Sequence, residues 1–205
     1  MVLVNPNKAN MATIKSTFVN LLVTLTVITL VAGLSLGFVF QWTKEPIAAA
    51  QMQKQLQAIE AVVKDYDNNP VMEKFKVATT LGDSLEFFPA KSKGTLIGMA
   101  IKSHSSKGYS GDISLMVGFT VNGEIQNVVV IEHKETPGLG SKMSDSKFLN
   151  QFLEKNPGDI NLRVKKDGGS IDAITGATIS SRAFSEAVQK AYETFQLWKN
   201  GNPQQ

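Results

Sequence analysis

Ile113-Ser-Leu-Met-Val-Gly-Phe-Thr-Val121 and Ile125-Gln-Asn-Val-Val-Val-Ile131 are two apolar runs separated by a turn containing Asn122-Gly123. Asn-Gly between such runs signals a two-residue β-hairpin, because both residues tolerate positive φ. Working backward, residues 95–102 form another apolar run, bounded by Gly94 and the polar stretch 103–111, and predict a strand. Working forward, Phe148, Leu149, Phe152 and Leu153 mark a short amphipathic helix, stopped at Asn156-Pro157-Gly158. Residues 160–164 predict a further strand, and Lys166-Asp-Gly-Gly169 a turn. Near the end, Phe184, Val188, Ala191, Phe195 and Trp198 recur at spacings of three and four and predict one face of a helix. Strands and helices mix without a regular βαβ alternation. The expected fold is therefore α+β, a mainly antiparallel sheet with packed helices. No G-x-G-x-x-G follows a strand, so a dinucleotide-binding unit has no support.

Three loops in this frame carry chemical information. In Ser170-Ile-Asp-Ala-Ile-Thr-Gly-Ala-Thr-Ile-Ser-Ser181, Gly176 and Ala177 let the backbone approach a bound group closely. The Thr and Ser hydroxyls around them are N-cap candidates for the last helix. Free N–H groups and the positive end of the helix dipole make such a terminus an anion site. Local chemistry alone fits an ordinary helix cap equally well. Glu135-Thr-Pro-Gly-Leu-Gly140 is a tight turn, with Pro137 fixing φ and Gly138 permitting φ above zero. Gly108-Tyr-Ser-Gly-Asp112 reads locally as a glycine-rich lead into the first hairpin strand.

The order of residues is more specific than their chemistry. Asp172-x-x-Thr175-Gly176-Ala177-Thr178 resembles the flavinylation motif of the covalent FMN-binding domain, and Glu135-Thr-Pro-Gly-Leu-Gly140 resembles a second signature of that family. The domain occurs in the G subunit of Rnf-type ion-translocating electron transport complexes and in the C subunit of the sodium-pumping NADH:quinone oxidoreductase. The resemblance implies covalent FMN, joined by a flavin transferase through a phosphoester to Thr178. It implies that Thr175, Gly176 and Ala177 shape the phosphate pocket and that Asp172 assists recognition or metal-dependent transfer by the modifying enzyme. It also places Glu135, Thr136, Pro137, Gly138 and Leu139 beside the flavin ring. The expected role is electron carriage inside a redox-driven ion pump, with other membrane subunits as partners and no catalytic residue of the chain's own. The alternatives are the quinone-oxidoreductase subunit and a stand-alone flavin-carrying module.

Toward the N-terminus, no residue between Lys15 and Lys44 is charged, and 18–40 is almost continuously apolar. At about 1.5 Å per residue this helix exceeds the ~30 Å hydrocarbon core of a bilayer. Its length and the lack of a small-x-small site at Gln41-Trp42-Thr43 favour a retained anchor over a cleaved signal peptide, and Trp42 suits the interface. Lys8 and Lys15 precede the span with no acid among them, which orients the N-terminus toward the cytoplasm. The expected organisation is a tail over 1–16, a transmembrane helix over 17–42, a juxtamembrane helix over 43–70, and an extracytoplasmic FMN-binding domain over 71–205. Met52, Leu56, Ile59, Val63 and Tyr66 carry the juxtamembrane periodicity, ending near Asn68-Asn69-Pro70. The setting is the bacterial cytoplasmic membrane, crossed once. All 18 acidic and 19 of 21 basic residues follow Thr43, so the outer part is near +1 and its charge is no argument for nucleic acid. Absence of cysteine excludes iron–sulfur clusters and c-type haem, and His104 and His133 lack a second ligand at metal spacing.

Overall fold

The computed structural model describes residues 17–201; the tail over 1–16 lies outside them. Two compact units divide at Ala50 and Gln51. The first is the apolar part of α1 (Phe18–Val62), whose mean hydropathy reaches 2.3 over an 18-residue window, long and apolar enough to cross a membrane. Thr24, Thr26, Thr29 and Thr43 return their hydroxyls to carbonyls one turn back, at 2.7–2.9 Å, which makes them compatible with an apolar surround. The helix runs on through residue 43, where a second one is expected to start, and past Pro46 without a break. It also ends at Val62, short of the expected Asn68-Asn69-Pro70 stop. Asp65 adopts φ +63°, and the Asp67 N–H then donates to the Lys91 carbonyl, turning the chain onto a sheet edge.

The second unit is built on an antiparallel meander of β1 (Phe75–Ala78), β2 (Ser84–Ser92), β3 (Thr95–Ser105), β4 (Ile113–Thr120) and β5 (Ile125–Glu132), ordered as in the sequence. Alternation of side chains gives the sheet two apolar faces. Leu85, Phe87, Met99, Ile101, Leu115, Val117 and Phe119 pack with α3 (Thr178–Gly201) and the short α2 (Ser146–Leu149). Phe88, Ala90, Ala100 and Met116 pack with Ala58, Ile59, Val62 and Val63 from the end of α1. The predicted face of α3 is the buried one: Phe184, Val188, Ala191 and Phe195 are at most 1% exposed, and Trp198 packs against the same cluster. Phe119 stacks on Phe195 with ring centroids 5.4 Å apart.

Two local expectations are corrected. The hairpin turn is a three-residue loop, since Gly123 donates to the Thr120 carbonyl and Thr120 to that of Glu124. Gly123, at φ +91°, takes the left-handed position after the turn. Residues 160–164 do not join the sheet. Leu162 and Val164 are buried as an alternating strand would bury them, yet this backbone pairs only with the loop that follows, through a single Val164–Ile171 bridge.

Candidate functional site

The loop 108–112 leads into β4, 135–140 follows β5, and 170–181 runs into α3, so the meander and the last helix bring these three stretches together. Glu135 joins them. It is 5% exposed and the only charged residue among the buried ones described. Its Oε2 accepts from the Ser180 hydroxyl at 2.8 Å and its Oε1 from the Ser110 N–H at 3.2 Å. None of the described ion pairs includes it. Two glycines make room: a Cβ at Gly140 would lie 2.6 Å from Oε2, and one at Gly108 2.8 Å from Oε1. The carboxylate is thus engaged inside the domain, whereas Thr136, Pro137, Gly138 and Leu139 are exposed.

The 135–140 loop closes on itself. Gly138 has φ +77°, and its N–H donates to the Ser141 hydroxyl at 2.9 Å. The Leu139 N–H donates to the Thr136 carbonyl at 3.2 Å. Both N–H groups are therefore used locally. Leu139 lies over Gly176, where a Cβ would stand 3.3 Å from its Cδ2 and where φ is +77°. That contact joins the second signature to the first.

Around the start of α3, hydroxyl partners separate the candidates. Ser180 and Ser181 are buried; Ser180 donates to Glu135, and Ser181 donates to the Ala177 carbonyl and accepts from the Ile174 N–H. Thr178, the first residue of α3, is half-buried and Thr175 is exposed, and neither hydroxyl is hydrogen-bonded among the described residues. Ala177 is buried and Gly176 exposed. Asp172 is exposed, with its carboxylate 2.8 Å from Lys165 Nζ and its backbone held in both directions by Gln151. One turn beyond Thr178, Arg182 donates both ends of its fork to Asp167 at 2.7 and 2.8 Å. That hydrogen bond holds the Asp167 carboxyl below the usual carboxylate range. The sequence reading did not single out Arg182 and Asp167; their spacing of 15 residues carries no periodic signal.

These residues fit a flavin. Tyr109, Leu139 and Ile179, one from each of the three stretches, are exposed large apolar side chains beside polar neighbours, suited to a planar aromatic ring. Gly176 leaves a small cradle under Leu139, and the unengaged Thr178 hydroxyl stands at a helix N-terminus.

Residues 108–193 match the FMN-binding domain family. The chain is 37% identical to the G subunit of the ion-translocating oxidoreductase complex of Aliivibrio fischeri, over 75% of this chain and 80% of that one. It is 34% identical to the corresponding G subunit from Pseudomonas aeruginosa, over 78% and 79%. The crystal structure of Shewanella oneidensis NqrC is similar at a TM-score of 0.48 and 20% identity, covering 72% of this chain and 74% of that one. With G subunits matched along about four fifths of their own length, this chain belongs to the family of ion-translocating oxidoreductase complex G subunits, which contains the FMN-binding domain.

Proposed function

We propose that this chain is the membrane-anchored electron carrier of an ion-translocating oxidoreductase complex and that it bears FMN through a phosphoester to Thr178. The unengaged Thr178 hydroxyl, at the first position of α3 while Ser180 and Ser181 are committed elsewhere, is the observation that carries the reading. Bound FMN supplies one- and two-electron transfer; the chain binds it, orients it and sets its surroundings. At Thr178 a phosphate would lie among first-turn N–H groups, worth about 0.3–1 kcal/mol when exposed. Leu139, Ile179 and Tyr109 give the ring apolar cover, and Thr136, Pro137 and Gly138 hold Leu139 in place. Asp172 is exposed and within reach of a flavin transferase during maturation. The other membrane subunits of the complex are the electron partners, and the domain faces the extracytoplasmic side.

The test is co-expression with a flavin transferase, followed by denaturation and mass analysis of peptides. Wild type should gain one FMN mass on the peptide containing Thr178. Thr178→Val removes the hydroxyl at nearly constant shape, so it should fold and stay colourless, while Thr175→Val should retain flavin. An unmodified wild type, or flavin on Thr178→Val, overturns the assignment.

A further inference from the structure

A cleft of about 790 Å³ runs beside α3, lined by none of the residues assigned to the flavin. Its floor includes the helical stripe Arg182, Ser185, Gln189 and Glu193; segment 157–164 and the turn at Thr79–Leu81 supply other walls. Ser185 is 4% exposed, and its hydroxyl finds no hydrogen-bond partner among the described residues. A buried helical hydroxyl ordinarily donates one turn back, as Thr194 does to the Lys190 carbonyl at 2.7 Å in this same helix. An orphan at that depth is uncommon in a folded domain, and this one belongs to the wall of the cleft.

Charge identifies the partner. Arg163, Lys166 and Arg182 all act on the single carboxylate of Asp167. Arg182 is engaged with it, while the guanidinium of Arg163, which also lines the cleft, makes no hydrogen bond among the described residues. At this end of the cleft two lining cations, Arg163 and Arg182, face one lining carboxylate, Asp167; Glu186 and Glu193 line the rest together with Lys107 and Lys190. The half-buried Ile160 and the 75% exposed Leu81, both lining residues, supply apolar surface. The volume falls in the range of roughly 300–1,000 Å³ typical of small-molecule sites. We propose that the cleft is a second, non-covalent site for a small organic anion, a carboxylate or phosphate monoester carrying an apolar body.

This does not depend on the flavin assignment, and its test needs no flavin. The full chain in lipid nanodiscs is titrated with benzoate and with phenyl phosphate by calorimetry and ligand-observed NMR. Inorganic phosphate and benzyl alcohol serve as controls. At least one aromatic anion should bind with Kd of about 1 mM or tighter, and which one binds distinguishes a carboxylate ligand from a phosphate ligand. Arg163→Gln and Ser185→Ala should each weaken it about tenfold, the value of one charge-assisted contact, with Thr178→Val unchanged. Ser185→Ala favours the helix, so loss of fold does not confuse its result. Three outcomes overturn the proposal: no saturation by either anion at about 10 mM, binding indifferent to both substitutions, or inorganic phosphate bound as well as phenyl phosphate.

Discussion

Glu135 is where three distant stretches of sequence meet, and its worth can be measured by removing the charge and the side chain separately. Glu135→Ala would leave the Ser110 N–H and the Ser180 hydroxyl without their acceptor and open a gap between Gly108 and Gly140. The expected loss is about 2–4 kcal/mol in denaturant unfolding. Glu135→Gln should cost less than about 1 kcal/mol, because its oxygen can serve Ser110 while the Ser180 hydroxyl rotates to accept from its amide. Equal losses for the two variants would mean that the negative charge, rather than shape and hydrogen bonding, holds the site. The sequence made the turn chemistry here readable: Gly138 and Gly176 both adopt the positive φ that glycine permits. It did not show that Glu135 points inward. In a Pro-Gly turn an acidic residue reads as solvated, and its partners lie 25 residues before it and 45 after it. The engagement of the two serine hydroxyls was likewise not legible, since Thr175, Thr178, Ser180 and Ser181 are chemically alike in one dimension and only motif order singles out Thr178.

At the scale of elements, the end of α1 lies on the sheet where two glycines leave no side chain. A Cβ on Gly118 of β4 would overlap the Val62 carbonyl, and one on Gly98 of β3 would stand 3.2 Å from Val63 Cγ1. Asn127 of β5 donates to the Ala61 carbonyl at 2.8 Å, satisfying a group at the helix end. Gly118→Ala should therefore lift the last turn of α1 and destabilise the second unit by about 1–3 kcal/mol. Hydrogen exchange at Val63, whose N–H donates to Ile59, should rise with it; unchanged stability and exchange would show that the contact contributes nothing. The strands pairing with this region differ in how readable they are. β3, β4 and β5 are long and apolar and were expected. β1 has four residues, too few for a pattern, and β2 contains Pro89, which argues against a paired strand. The structure resolves that conflict, because β1 pairs only with Ser84 to Phe87. Beyond it, Asn68 covers the open edge by donating to the Pro89 carbonyl and accepting from the Lys91 N–H. Residues 160–164 fail in the opposite way: their burial alternates, but their backbone pairs with the following loop rather than with the sheet.

At the scale of the whole molecule, the distribution of charge argues for an orientation. The span has no charged residue between Lys15 and Lys44, Lys8 and Lys15 lie before it without acids, and the 19 basic residues after Thr43 are nearly balanced by 18 acidic ones. Moving the uncompensated basic tail across a bilayer is the unfavourable choice, so the N-terminus should remain cytoplasmic and residues 51–205 should be exported. An exported carrier also gains from a covalent link, because flavin lost outside the cytoplasm is not readily replaced. The chain contains no cysteine, so single introduced thiols report topology without background. Ser106 is exposed in the turn after β3, and Asn7 precedes the span. In intact spheroplasts a membrane-impermeant maleimide should label Ser106→Cys and leave Asn7→Cys unlabelled until lysis. Labelling of Asn7→Cys alone would reverse the orientation and place Thr178 in the cytoplasm, where free FMN is available and the argument for a covalent link from export no longer holds.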